Sequence, residues 1–253
     1  MTDKPLIITS IYAPSDQNPH WYKLQKAFIA KNTAIPYQFK IVLNGITADN
    51  FDPQDILWIN DDNEGHPAAL AQLLNYFRDN QHAHYLILDS DCFPILHGWH
   101  EVLERQMTQF KKNFAAPVRT ENLDLFPHPC AFYIQGQAIH NSALDFSTSH
   151  CTNLLGESIP EVGGAMQTLT EQCLPLLRTN HINLHPIAAG IYHHLFYHHG
   201  AGSRDFNFRI LKRYDYYNHC FNNTHRERDS ATLFRQLINA PEAFIDALMH
   251  GYA

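Results

Sequence analysis

The sequence predicts an α/β fold built on a mixed, mainly parallel sheet flanked by helices. Three observations support this prediction: short apolar runs alternate with longer amphipathic patterns through the first half, each amphipathic pattern has one apolar face, and one apolar run ends in a pair of carboxylates. Strands that alternate with helices form parallel sheets joined by right-handed crossovers. With 253 residues, 45% of them hydrophobic, the chain is long enough for one large domain with a sizeable core.

The first half of the chain supplies four strands and two helices. The expected strands are 5–12, 37–43, 56–60 and 85–89. They are runs of aliphatic and aromatic residues. Helices are expected over 20–31 and 66–78, because apolar side chains recur there every three or four residues. Pro67 suits the first turn of the second helix.

The second half is less regular. Its expected elements are a helix over 99–110, strands over 115–118 and 131–134, a helix over 163–177, a strand over 182–186, and a closing amphipathic helix over 231–249. Between the last two elements lies a run rich in histidine and glycine, over 191–204.

The composition excludes several classes of protein. The net charge is −7 with the histidines neutral, so we expect no basic surface for nucleic acid. Five scattered cysteines without a Cys-x-x-Cys pair argue against a zinc knuckle or a disulfide framework, and favour a reducing cytoplasm. We expect no signal peptide, since the chain enters its first strand without a basic, apolar leader. No apolar run approaches the roughly 20 residues of a membrane-spanning helix.

The most informative motif ends the strand expected over 85–89. Asp89 and Asp91 lie two residues apart at its carboxyl end. Strand residues at this spacing point to the same face. Paired carboxylates repel each other unless a cation lies between them, and hard ions such as Mn or Mg prefer carboxylate and phosphate oxygens. Ligands of open α/β sheets bind at this end of the strands. The motif predicts a metal–diphosphate site, and the alternative is an ordinary strand-end turn.

Three segments together resemble the GT-A glycosyltransferases, a Rossmann-like fold family. They are Asp89-Ser90-Asp91, the Asn- and Gly-containing turn with a small-residue helix start over 60–70, and the run His-His-Gly-Ala-Gly-Ser-Arg over 198–204. The resemblance covers roughly residues 5–204. It implies an enzyme that moves a sugar from a nucleoside diphosphate, UDP being the expected nucleotide, to a hydroxyl of a saccharide, lipid-linked or protein acceptor.

The resemblance also implies a metal site for Mn or Mg. Asp91 would be a direct ligand, and Asp89 would bind the metal through water or hold the ribose hydroxyls. His198 would be the third ligand, with His199 as the alternative, because adjacent side chains do not easily face the same ion. Arg204 would bind the diphosphate through its forked donors.

Further nucleotide contacts are implied for Thr9, Tyr12 and Asn44. Asn44 stands where the family often has an Asp that recognises the base, which leaves the base open. Glu157 and Glu161 stand where inverting members have a Glu-Asp pair, which leaves the stereochemistry open. Glu161 is the candidate base for the acceptor hydroxyl, and the alternative is a charge at the start of the helix expected over 163–177.

The chain is expected to divide near residue 204. The expected parts are a GT-A catalytic domain over 1–204, with a nucleotide-binding half over 1–91 and an acceptor half over 92–204, and a C-terminal extension over 205–253. Basic residues outnumber acidic ones between 204 and 228, which favours a lid over the diphosphate. The helix over 231–249 contains Arg235 and no lysine, so packing on the core is favoured over contact with a membrane surface.

Two other functions remain open from the sequence. A degenerate GT-A module would bind a nucleotide sugar without turnover, and the presence of both Asp89 and Asp91 argues against it. A nucleotidyltransferase also uses a metal at a strand end. It usually has a glycine-rich basic loop after the first strand, and here no glycine precedes Gly45.

Overall fold

The computed structural model describes residues 5–14, 19–80, 82, 84–180, 189–200 and 230–251. Its strands are β1 (Leu6–Tyr12), β2 (Tyr37–Asn44), β3 (Ile56–Asn60), β4 (His84–Asp89), β5 (Cys92–Pro94), β6 (Phe114–Pro117), β7 (Ala131–Gln135), β8 (Thr148–Thr152), β9 (Ser158–Val162), β10 (Cys173–Leu176), β11 (Gly190–Tyr192) and β12 (Phe196–His198). Its helices are α1 (Pro19–Asn32), α2 (His66–Asp79), α3 (Trp99–Phe110), α4 (Gly136–Asn141), α5 (Ser230–Asn239) and α6 (Pro241–His250), with 3₁₀ helices at Thr120–Asn122 and Gly164–Gln172.

Seven strands form the central sheet in the order β10-β6-β7-β4-β1-β2-β3. β1 pairs in parallel with β2 on one side and β4 on the other, and β3 continues in parallel beyond β2. β7 runs antiparallel to both β4 and β6, and β10 runs parallel to β6. The predicted mixed, mainly parallel sheet is confirmed.

Helices cover both faces of this sheet. Alternate side chains of β1 enter two apolar layers, Leu6 and Ile8 on one face and Ile7 and Ile11 on the other. Residues of α1, α3, α5 and α6 complete the first layer, and residues of α2 and α4 complete the second. Because both faces are covered, all seven residues of β1 are buried.

Two smaller sheets lie outside the central one. β5, which follows β4 almost directly, joins β12 and β11 in a three-stranded sheet. β8 and β9 form an antiparallel hairpin. The sequence does not predict β5 or this hairpin, because both consist of short or largely polar strands.

The predicted helix over 163–177 is wrong. The structure has a 3₁₀ helix over Gly164–Gln172, followed by β10 at the edge of the central sheet. Pro175 is exposed on β10, where a residue without an N–H is tolerated because the outer side of an edge strand has no partner. Glu161 therefore does not lie at the start of a helix; it lies on β9.

The single helix predicted over 231–249 is also wrong, since this region forms the two helices α5 and α6. The break falls at Ala240, and Pro241 occupies the first turn of α6, where its missing N–H and fixed φ are tolerated. Both helices place apolar side chains in the core layer that α1 shares, among them Leu233, Leu237 and Phe244.

The other predicted elements within the described residues are confirmed to within one residue at each end. The strand expected over 182–186 and the lid expected over 204–228 lie outside the described residues. None of the helices in the described part of the chain has the length and apolar character needed to span a membrane.

Candidate functional site

The carboxylate pair lies where β4 turns into β5. Asp89 is the last residue of β4, and Asp91 immediately precedes β5. The backbone N–H of Asp89 donates to the carbonyl of Cys130 at 3.0 Å, and the carbonyl of Asp91 accepts from the N–H of His199 at 3.0 Å. Contacts with two other parts of the fold thus fix the backbone of both residues.

β12 brings His198 to this pair. In the antiparallel pairing of β5 with β12, His198 lies opposite Cys92. Its Nε2 is 3.3 Å from Asp91 Oδ1 and 3.6 Å from Asp89 Oδ2. One ligand atom from each of the three residues lies within 4.8 Å of the others. The structure therefore brings together three of the four residues predicted to bind metal.

Burial and close pairing determine the protonation of this cluster. Burial alone would raise the pKa of Asp89 and of Asp91, but His198 opposes it, and the pKa of both is lowered, well below the usual range for Asp89. Burial would lower the pKa of His198, whereas neighbouring Cys130, Asp91 and Asp89 raise it well above its ordinary value. These shifts favour the ionised form of both carboxylates and the protonated form of His198.

The cluster fits a hard divalent cation. Two carboxylates and an imidazole supply oxygen and nitrogen ligands of the kind that Mn accepts. The side chains of Asp91 and His198 are 6% and 7% exposed and that of Asp89 is 20% exposed, so the cluster is reached from the Asp89 side. Asp89 Oδ1 is buried without a hydrogen bond to any described residue, and a bound cation would satisfy such an oxygen.

His66 is a site residue that the sequence analysis missed. It is the first residue of α2, and its Nε2 lies 3.4 Å from Asp89 Oδ1, outside good hydrogen-bond geometry. His66 also lowers the pKa of Asp89, after the opposing effect of burial and the contact with His198. The signal was its position in the turn-and-helix segment over 60–70, whose small residues carried the resemblance.

His199 lies apart from the cluster. Its side chain is fully buried, and its Nδ1 is 2.7 Å from the hydroxyl of Tyr197. Its ring packs against Trp21 at a centroid distance of 5.0 Å and against Phe234 of α5 at 5.9 Å. These contacts place its side chain in the apolar core, while its backbone N–H holds Asp91.

Gln25 of α1 is a second site residue that the sequence does not indicate. It connects Tyr12 to the site. The Tyr12 hydroxyl donates to Gln25 Oε1 at 2.6 Å. Gln25 Nε2 in turn donates to the carbonyls of Asp89 at 2.9 Å and Cys92 at 2.7 Å. One buried amide therefore bridges both ends of the turn that contains Asp91. Sequence spacing carried no signal for it, because a glutamine on an apolar helix face is an ordinary feature.

Thr9 and Asn44 are buried side chains engaged within the protein. The Thr9 hydroxyl donates to the carbonyl of Leu86 at 3.4 Å on the neighbouring strand. Asn44 Oδ1 accepts from Asn60 Nδ2 at 3.1 Å and from the N–H of Glu64 at 3.2 Å. Asn44 thus ties the end of β2 to the turn that leads into α2.

Glu161 and Arg204 are the remaining predicted site residues. Glu161 is half-buried on β9, opposite Ser149 in the hairpin. Two residues later, a β-carbon on Gly163 would lie 3.5 Å from Pro129 Cδ, so this end of the hairpin packs beside the residue that precedes Cys130. Arg204 lies outside the described residues.

No protein-family model and no curated protein sequence matches the chain. Solved structures with a similar arrangement include a putative nucleotide-diphospho-sugar transferase from Desulfovibrio desulfuricans G20, at 10% identity and a TM-score of 0.45, with 98% of this chain and 97% of that chain covered. The mannosyltransferase PcManGT from Pyrobaculum calidifontis, solved with GDP-Man and Mn²⁺, has 9% identity and a TM-score of 0.40, with 52% and 44% covered. TarS from S. aureus has 8% identity and a TM-score of 0.46, with 69% and 35% covered.

The chain therefore spans less than half of the mannosyltransferase and of TarS. At TM-scores below 0.5, such matches say nothing about activity.

Proposed function

We propose that the chain is a glycosyltransferase that moves a sugar from a nucleoside diphosphate, UDP being the expected nucleotide, to a hydroxyl of a saccharide, lipid-linked or protein acceptor. Asp89, Asp91 and His198 would hold Mn or Mg. The observation that carries this proposal is the meeting of these three side chains at the carboxyl end of β4. When bound, the metal would supply Lewis-acid stabilisation of the charge that builds on a leaving diphosphate.

The protein's own contribution is to hold the site in place. Gln25 fixes the turn between Asp89 and Cys92, so the two carboxylates need little reorganisation to accept a charged ligand. The buried side chains of Tyr12 and Asn44 would act by positioning, the first through Gln25 and the second through the turn before α2.

The remaining assignments are part of the same proposal. Glu161 would take the proton of the acceptor hydroxyl. Arg204 would bind the diphosphate, and Thr9 would line the nucleotide site. The four cysteines in the described part of the chain are buried thiols outside any disulfide, which supports a reducing, cytoplasmic location.

A thermal-shift screen of nucleoside diphosphates, with and without Mn, tests the proposal. We expect one nucleotide to stabilise the protein selectively and only with Mn. Asp91→Ala should abolish this shift while Asp246→Ala, a carboxylate on α6 that is 74% exposed, should keep it. Unchanged Mn-dependent nucleotide affinity in Asp91→Ala, measured by calorimetry, would refute the metal role. Release of nucleoside diphosphate from a panel of donors then separates an enzyme from a binding module.

A further inference from the structure

A second cluster of buried charged side chains lies in the loop between β6 and β7. Arg119 Nη2 and Nε lie 2.6 Å and 2.8 Å from Asp124 Oδ2. Two residues after Arg119, Glu121 Oε1 accepts the hydroxyl of Tyr192 at 2.5 Å. The turn that holds these groups together is the 3₁₀ helix Thr120–Asn122, which ends at Leu123 with a left-handed φ of 63°. None of these residues has a role in the mechanism proposed above.

Each carboxylate in this cluster has one oxygen that no residue in the described part of the chain meets with a hydrogen bond. Glu121 is 8% exposed and Asp124 is 1% exposed, yet Glu121 Oε2 and Asp124 Oδ1 make no hydrogen bond within the described part of the chain. A buried acceptor without a donor is destabilising, and folded proteins rarely keep one without a purpose. The free oxygens require donors that the described residues do not supply.

The cluster adjoins the candidate metal site. Tyr192 lies on β11, which pairs with β12, and its ring centroid is 6.3 Å from that of His198. The loop that contains Glu121 and Asp124 ends at Cys130, whose carbonyl holds the backbone of Asp89. Glu121 therefore lies next to the candidate metal site through its contact with Tyr192, and Asp124 belongs to the same loop.

We propose that Glu121 and Asp124 bind hydroxyl groups of the sugar carried by the nucleotide, and that Tyr192 is a positioning residue for Glu121. A hydroxyl offers the neutral donor that a free carboxylate oxygen needs. The charge of Arg119 is balanced by Asp124, so the cluster is not built to take the diphosphate itself. This inference rests on the proposed function, since it assumes a nucleotide sugar at the metal site.

The test compares a nucleotide with and without its sugar. Calorimetry with Mn would measure the affinities for UDP, UDP-glucose, UDP-N-acetylglucosamine, GDP and GDP-mannose in wild type, Glu121→Gln and Asp124→Asn. We expect both variants to bind the bare diphosphate as wild type does, within about twofold. Their affinity for the matching nucleotide sugar should fall by about ten- to a hundredfold, as for a lost hydrogen bond to a charged group.

Glu104→Gln is the matched control. Glu104 also accepts a tyrosine hydroxyl, that of Tyr133 at 3.0 Å, but it lies on α3 beside the start of β4. It should leave both affinities unchanged. If Glu121→Gln does not fold, Tyr192→Phe removes only the hydroxyl and should still weaken binding of the nucleotide sugar more than binding of the bare diphosphate.

The possible outcomes separate the two proposals. Nucleotide-sugar affinity within twofold of wild type in both Glu121→Gln and Asp124→Asn would overturn the sugar subsite and leave the proposed function standing. Equal losses for the bare diphosphate and the nucleotide sugar would also overturn it. A wild type that binds no nucleotide in the presence of Mn would overturn the proposed function, and the subsite with it.

Discussion

At the scale of single residues, His198 and His199 show how neighbours in sequence acquire different tasks. His198 faces two carboxylates, whereas His199 is enclosed by Tyr197, Trp21 and Phe234. Successive side chains of extended backbone point to opposite sides, so only one of the two faces the candidate metal site.

This difference predicts opposite phenotypes for two alanine variants. His198→Ala should lose most Mn-dependent nucleotide affinity with little change in the free energy of unfolding. His199→Ala should keep that affinity but unfold more easily, by about 1–3 kcal/mol, because the Tyr197 hydroxyl loses a buried partner. Calorimetry and urea unfolding measure the two quantities, and an equal loss of Mn affinity in both variants would contradict the assignment.

The sequence indicated Asp89, Asp91 and His198, but not the residues that support them. The two carboxylates follow an apolar run, so a local pattern locates them. Gln25 and His66 contact residues that are distant in the sequence. The residues that flank them contain no pattern that predicts these contacts. The role of His199 was left open for the same reason, because its aromatic neighbours come from α1 and α5.

At the scale of elements, the turn after β2 depends on Gly45. Its φ is +76°, and a β-carbon there would lie 2.6 Å from the backbone nitrogen of Asn63. Gly156, in the β8–β9 hairpin, has a similar φ of +79° but open space where a β-carbon would lie. Both glycines have a positive φ, but only Gly45 also lies close to another residue. Comparing them therefore separates the effect on stability of the backbone conformation from that of the contact with Asn63.

Alanine at the two glycines should therefore destabilise to different degrees. Gly156→Ala should lower the free energy of unfolding by about 1 kcal/mol through φ alone. Gly45→Ala should lower it by about 2 kcal/mol or more, because Asn63 must also move. Urea denaturation measures both values. Equal losses would show that the contact with Asn63 is unimportant.

Glu104 ties α3 to β4 and β7. Its carboxylate lies 3.0 Å from His84 Nε2 and accepts the hydroxyl of Tyr133 at 3.0 Å. The hydrogen bond from His84 lowers the pKa of Glu104, against the opposing effect of burial. A carboxyl whose pKa is lowered on folding adds stability above its unfolded pKa of about 4.3. That stability is lost as the pH falls through the folded value.

The stability advantage of wild type over Glu104→Gln should therefore depend on pH. We expect it to be present at pH 7 and to shrink as the pH falls below about 4, where the unfolded carboxyl begins to bind its proton. Urea unfolding of both proteins at pH 7, 5 and 3.5 would measure the difference. A difference that stays constant across this range would show that the carboxylate charge plays no part.

The two mispredicted elements have different causes. The run over 163–177 has apolar residues at spacings compatible with a helix, but its last part completes the edge of the central sheet beside β6. Pairing with a strand some sixty residues earlier decides this, and no local pattern shows it. Pro241, by contrast, was a local signal, and proline inside a helical pattern predicts the break that the structure has.

At the scale of the whole molecule, the last two helices are part of the core. Leu237 of α5 is fully buried in the layer that also contains Trp21 and Ile8. Leu237→Ala should therefore lower the free energy of unfolding by about 2–5 kcal/mol. The exposed neighbour Gln236→Ala should change it by less than about 0.5 kcal/mol. A small effect at Leu237, together with salt-sensitive binding to anionic liposomes, would instead favour contact with a membrane surface.

The meeting of β4 with β12 also decides when the proposed metal ligands come together. Asp89 and His198 are separated by more than a hundred residues, so a nascent polypeptide must be synthesised past β12 before the ligand set exists. Closing a loop of that length has an entropic cost, and a bound ion that joins its two ends would offset part of it. During refolding, affinity for Mn²⁺ should accordingly appear late, which makes the paramagnetism of that ion a spectroscopic reporter of the completed fold.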